Sequence, residues 1–388
     1  MTGPLSGSPR WARRAVSAVF FANGAVLATW AARIPDIRSR LGLDPGALGL
    51  ALLGMAVGAL IAMNISGYMA ARVGSRPVTT VAGVCLCLTL PLLALASGFL
   101  ALVGALALFG AANGALDVAM NAQGVTVEKR YGRPILSAFH AMFSVGGAAG
   151  AFVGALMAGR HVAPLAHFVG AALIAGALVF ASGTAMLPAH ADAAGSGLAL
   201  ARPSRAVLAL GVVAFCVVLT EGAMSDWSAI YLRDTVRSGA GLAAVGYGAF
   251  SVAMATMRFS GDALTARYGP RALVRVSGGL GVLGMALALS ALWAPATIAG
   301  FALVGLGCAV VFPITLSAAG RIGGASAATT LAMVATCGYL GFLAGPPVIG
   351  LLANALSLRV ALVGLLVTGA VIAWLAPAVG RASGSKQD

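Results

Sequence analysis

Twelve runs of roughly 20 apolar residues, separated only by short basic or glycine-rich segments, constrain this chain more than any other feature. A run of that kind is unstable in water. Inside a bilayer it must close its own backbone hydrogen bonds, so each run is expected to be a helix. We place candidate spans at about 14–33, 46–71, 77–96, 99–126, 134–158, 165–187, 206–231, 241–266, 272–291, 296–320, 327–355 and 358–379. Composition supports this: 60% of residues are hydrophobic and 9% charged, against about 45–50% apolar and about 25% charged in soluble domains. A soluble enzyme, a nucleic-acid binder and a disordered chain are therefore poor fits. The net charge of +14 would suggest nucleic acid in a soluble protein. Here the basic residues fall in clusters between spans, which is a topology signal. The expected surroundings are a lipid bilayer, with no nucleic-acid partner.

The ends and the cysteines add little. Arg10, Arg13 and Arg14 precede an apolar run to Ala32 that is long for a cleaved leader, so it reads as a retained first helix. Cys85, Cys87, Cys216, Cys308 and Cys337 all lie in apolar runs, in a spacing that suits neither a disulfide framework nor zinc. No metal site and no cofactor is expected.

The longest break between spans is 188–204, PAHADAAGSGLALARPS, which reads as a linker. It divides the chain into an N-terminal six-helix bundle, 1–187, and a C-terminal six-helix bundle, 205–388. With both termini inside, 16 of the 24 basic residues fall in inner segments, 7, including Arg33, in outer ones, and Arg258 within a span. The positive-inside rule therefore places both ends in the cytoplasm, as in a bacterial inner membrane. The halves also repeat. Residues 72–76 read RVGSR and 267–271 read RYGPR, an offset of 195, and Gly150 in GGAAGAFVGA matches Gly345 in GFLAGPPVIG at the same offset. Parallel internal duplication is a signature of rocking transporters.

These residues resemble the major facilitator superfamily over essentially the whole chain. The family's loop after the second span has the form G-x-x-x-D-R-x-G-R-R; here Gly67, Arg72, Gly74 and Arg76 match, and Ala71 stands at the acidic position. The second copy keeps Asp262, Arg267, Gly269 and Arg271. Its glycine allows a tight turn. Its arginines either latch one conformational state through helix C-terminal carbonyls or simply hold the loop at the anionic inner surface. The fifth span is similar to the antiporter motif G-x-x-x-G-P-x-x-G-G through Gly146, Gly150 and Gly154, with Ala151 at the proline position. The eleventh span offers Gly341, Gly345 and Pro346. Small residues at this spacing also serve plain helix packing. The segment from Asn121 through RPILSAFHAMFSVGG is similar to the fucose–proton symporter branch. The resemblance implies twelve transmembrane helices in two pseudo-symmetric six-helix bundles. It further implies a cavity lined by the first, fourth, seventh and tenth.

Ionisable groups within a span are costly and so are functional candidates. Asp117 lies eleven residues before Glu128, about 16 Å along the helix from the inner surface. Asn113, Asp117 and Asn121 share one helical face. Such a carboxyl can take up and release a proton as the cavity alternates, or it can tie helices together. Glu221 is also central, about 24 Å from Arg205 along its helix, and Asp226 lies about 10 Å from the outer end. Arg258, about 13 Å deep, is expected to pair with Asp262 at i+4 or with an acid across the cavity. His140 can relay protons or simply pack. Asn23 is mid-span in the first helix. Trp30 and Trp227, near outer ends, read as interface anchors. His161, His167 and His190 need no special role. The tenth span carries no charge, so its cavity contacts are apolar or backbone.

Three functions remain open at this level. The first is a secondary transporter of a small organic solute, coupled to protons, with import by symport and export by antiport both compatible. The second is a passive uniporter or a sensor of the same fold. The third, a membrane enzyme, lacks H-E-x-x-H and G-x-S-x-G chemistry. No catalytic residue is assigned. One duplicated chain holds a complete cavity, so a monomer is expected.

Overall fold

A computed structural model describes residues 9–132, 135–188, 204–323 and 327–381. The elements are α1 (Pro9–Leu41), α2 (Pro45–Val73), α3 (Ser75–Leu95), α4 (Phe99–Tyr131), α5 (Leu136–Gly159), α6 (Pro164–Gly183), α7 (Arg205–Ile230), α8 (Ala240–Tyr268), α9 (Pro270–Ala291), α10 (Ala294–Cys308), α11 (Val311–Gly323), α12 (Ala327–Ala355) and α13 (Leu358–Arg381). A π-turn, Tyr231–Thr235, extends α7. Twelve membrane spans result, because α10 and α11 together form the tenth, Ala294–Ile322. The chain is an all-α membrane protein. Most of the expected linker, residues 189–203, lies outside the described residues.

Helix starts follow local chemistry. The Asp44 carboxylate accepts the Ala47 N–H at 2.8 Å ahead of Pro45 at the head of α2, and the Ser204 hydroxyl accepts the Val207 N–H at 3.3 Å on α7. Both satisfy amides that the first turn leaves open. The matched basic loops adopt one backbone form. Gly74 has φ 87° and ψ 155°, Gly269 φ 79° and ψ 155°. Each N–H closes the preceding helix at 2.9 Å, on the Ala70 and Thr265 carbonyls respectively. A side chain is strained at such a φ, which explains glycine at both positions.

Contacts divide the chain into two compact units, residues 1–195 with 239–248, and residues 196–238 with 249–388. In the first unit α1 packs on α5, α2 on α4, and α3 on α4 and α6. In the second, α7 packs on α12, α9 on α10, and α13 on α9. These are corresponding pairs of the repeat. A Cβ at Gly146 of α5 would overlap the Phe21 carbonyl of α1, and one at Gly341 of α12 would overlap the Phe215 carbonyl of α7. Gly150 meets the Ala25 backbone in the same way, and Gly154 meets the Ala32 side chain. Helices in lipid gain little from apolar burial against one another, so close backbone approach supplies much of their attraction. Gly345 differs: a Cβ there would sit 3.8 Å from Leu219, at ordinary contact. Pro346 lies inside α12 without ending it.

Apolar residues such as Ile61, Leu100, Phe180 and Trp374 remain exposed on the helices, as a lipid-facing surface requires. The expectation for two tryptophans is corrected here. Trp30 and Trp227 are 1% and 0% exposed, so neither ring can anchor at a headgroup interface. Trp11, Trp293 and Trp374 are the exposed tryptophans.

Gly146→Ala is expected to lower stability by about 1–3 kcal/mol, the usual cost of overpacking, whereas Gly345→Ala should be close to neutral. Thermal unfolding of both variants in detergent, followed by circular dichroism, distinguishes them.

Candidate functional site

The polar stripe of α4 is held from its own helix, and further polar side chains of α1 and α5 belong to the same unit. The Asn121 amide donates to the Asp117 carboxylate at 3.1 Å and to the Asp117 carbonyl at 2.8 Å. Asp117, Asn113 and Asn121 are all half-buried. Asn23 of α1, 2% exposed, points its amide nitrogen at the Met120 sulfur at 3.8 Å, beside Asn121 in the chain. One turn away on α1, Phe20 stands edge-on to the His140 ring of α5, with centroids 5.2 Å apart. Asn23, Asp117, Asn121 and His140 therefore sit at neighbouring levels of one bundle. The amide oxygens of Asn23 and Asn113 are buried with no donor among the described residues. A buried acceptor without a partner costs about 1–3 kcal/mol, which marks both oxygens as candidates for a functional role.

The second unit carries an ion pair. Arg258 of α8 meets Glu221 of α7 at 3.4 Å, with 16% and 29% of the side chains exposed. Arg258 thus meets an acid of its own unit. The Asp262 side chain lies outside the described residues. Arg258 Nε also donates to the Ala309 carbonyl at 3.3 Å. That carbonyl lies where α10 stops and α11 has yet to begin. Residue 313 is proline, so the amide that would bond it in a continuous helix does not exist. The uncharged tenth span, read from sequence as one helix, is therefore broken and presents backbone. Asp226, five residues beyond Glu221 on α7, is buried.

The loop arginines lie against aromatic rings of their own helices, Arg72 over Tyr68 at 4.7 Å and Arg267 over Tyr268 at 5.3 Å. Arg271 aliphatic carbons line Gly380 of α13. In the first unit Glu128 closes the α4–α5 turn. Its carboxylate accepts the Ile135 and Leu136 N–H groups at 2.7 and 2.8 Å, so an acid caps the N-terminus of α5. Acid and amides are seven and eight residues apart, with Arg133 and Pro134 between, and no fixed motif marks that arrangement.

One cluster was missed by sequence reading. Arg33, expected in an outer segment, lies inside α1 and is 2% exposed. It pairs with Asp36 at 2.7 Å, donates to His167 Nδ1 of α6 at 3.3 Å, and bonds the Val162 carbonyl before α6. His167, expected to need no special role, is thus buried beside a guanidinium. The available signal was the i,i+3 spacing of Arg33 and Asp36; nothing in sequence marked His167. The cluster fastens the far end of α1 to the α5–α6 connection. His190 lies outside the described residues.

Comparison with known proteins fits this architecture. The profile of the Major Facilitator Superfamily matches residues 15–346. An uncharacterised MFS-type transporter of Yersinia pestis is 38% identical over 343 residues, 88% of this chain and 89% of the relative. An uncharacterised transporter of Sinorhizobium fredii is 35% identical over 370 residues, 94% of this chain and 97% of the relative. Among solved structures, the crystal structure of the nucleoside transporter NupG overlays with a TM-score of 0.71 at 14% identity, covering 96% of this chain and 99% of that one. Such low identity speaks to fold alone. The chain belongs to the Major Facilitator Superfamily of membrane transporters.

Arg33→Met should remove the ion pair to Asp36 and the bond to the Val162 carbonyl and lower stability by about 2 kcal/mol, the scale of hydrogen bonds to a charged group. Arg33→Lys should recover only part of it, because an ammonium cannot fork to three partners. Melting temperatures of the three proteins in detergent test this.

Proposed function

We propose that this chain moves a small organic solute across a bacterial inner membrane by alternating access, with protons as the coupling ion. The observation that carries the reading is Asp117. It places a carboxyl within a membrane-crossing helix, bonded to an amide of its own helix. An ionisable group within a span is costly and so is a functional candidate. Asp117 is then the proton carrier of the first bundle. Glu221, in charge contact with Arg258, is its counterpart in the second. The unfilled oxygens of Asn23 and Asn113 favour a solute that brings N–H or O–H donors. The basic loops at Arg72 and Arg267 put both termini in the cytoplasm, and one chain with two bundles works as a monomer. A membrane potential of 100 mV adds about 2.3 kcal/mol for each charge moved, enough for roughly fortyfold accumulation.

The test uses purified protein in liposomes with a pH dye inside. Nucleosides, monosaccharides and cationic dyes are added outside with no starting gradient. Acidification of the lumen identifies symport, and alkalinisation identifies antiport. Asp117→Asn should abolish the pH signal, at least tenfold, with an unchanged melting temperature. Solute flux without any pH change, unaffected by Asp117→Asn, would overturn proton coupling in favour of uniport.

A further inference from the structure

We propose that Arg258 pins a hinge in the tenth span, and that the charge on Glu221 sets how firmly the pin holds. Pro313 removes the N–H that would reach the Ala309 carbonyl, while the next amide, Ile314, does bond Val310 at 3.1 Å. One carbonyl is therefore orphaned within a membrane span. In hydrocarbon such a group requires a substitute donor, and Arg258 Nε supplies it at 3.3 Å. Among its partners, the guanidinium thus links the Ala309 carbonyl to the Glu221 carboxylate, at 3.3 and 3.4 Å.

The surroundings suit a hinge. Helix α8 runs alongside the break. A Cβ at Gly305 would overlap the Phe250 backbone, so α10 is clamped to α8 about one turn before the break. A Cβ at Gly261 would come 2.7 Å from Val310, so α8 also lies tightly against the break itself. Bordering the same turn is a small void lined by Thr220, Ser277, Gly278, Gly307, Cys308 and Thr368. The Ser277 hydroxyl there is buried with no partner among the described residues. The turn thus has free volume beside it and a bonded constraint at Arg258.

Glu221 is the element that can change. With its carboxylate charged, the guanidinium is drawn between α7 and the break. Once the carboxylate is neutral, by a proton or by a cationic or donor-bearing solute, that attraction is lost and Arg258 can leave Ala309. The Cys308 thiol, one residue before Ala309, is buried. On the other helices packed against α7, α12 presents Cys337 to Gly211, α13 presents the Thr368 hydroxyl to Thr220, and the one basic side chain described on α11 is Arg321. Arg258 is a positioning residue in this scheme. The scheme rests on Glu221 changing charge, which the proposed function also assigns to it, but it does not require transport.

The test is hydrogen–deuterium exchange of residues 305–316 in full-length protein in lipid nanodiscs, without solute. Glu221→Gln should speed exchange of the amides at 309–312 by roughly tenfold, the scale of one charge-assisted hydrogen bond. Arg258→Lys should do the same, since an ammonium cannot span both acceptors; it also serves if Glu221→Gln fails to fold. Pro313→Ala restores the missing amide to Ala309. In that background either substitution should change exchange by less than about twofold, a difference under half of 1 kcal/mol. Unchanged exchange in the single variants, or an equal rise with and without Pro313, would overturn the hinge. Because no solute is present, a negative result leaves the transport reading standing, and a failed transport assay leaves the hinge testable.

Discussion

A peptide group within hydrocarbon finds no water to bond, and the rest of this structure depends on that constraint. It dictates helices in all twelve spans. It also makes each irregularity accountable. Where Pro313 interrupts the tenth span, Arg258 takes the freed carbonyl. Where α3 ends, Arg40 donates to the Ala94 and Ala96 carbonyls. Where α5 begins, Glu128 receives its first amides. A few charged side chains, in a chain with only 9% charged residues, are spent on backbone groups that a straight helix would have satisfied itself.

The same solvent removes the usual reason for helices to associate. Apolar side chains gain nothing by leaving lipid for one another, so shape and close approach must hold the bundles together. Glycine meets that need at equivalent crossings in both halves, Gly146 on Phe21 and Gly341 on Phe215. The antiporter-like glycine pattern of the fifth span has this packing role whatever else it does. Gly345, which also fits the pattern, makes no such contact. A motif position and a packing position are thus not the same thing, even four residues apart on one helix.

Ionic groups inside the spans are arranged unevenly between the bundles. The first holds Asp117 with an amide of its own helix and keeps its guanidinium, Arg33, at the far end. The second holds Glu221 against Arg258 beside the broken helix. Asp117 accepts the Asn121 amide of its own helix. Glu221 sits at a site where an arginine also bonds the backbone. The two carboxyls, similar as sequence features, therefore differ in their surroundings.

Much of the architecture was legible in the sequence because it depends on local periodicity. Hydropathy over about 20 residues marks a span, the 195-residue offset marks the duplication, and RVGSR and RYGPR mark turns whose glycines share one backbone form. The i,i+4 rule likewise brings Asn121 to Asp117. What only the tertiary structure decided are pairings between helices. Arg258 reaches Glu221, 37 residues away, and the Ala309 carbonyl, 51 away. Arg33 finds His167 at a separation of 134. Trp30 and Trp227 turn inward although their positions suit an interface. The reason is rotational. Which way a helix turns about its axis follows from where glycines let backbones touch, and in spans apolar on nearly every face the sequence of one helix carries no record of that.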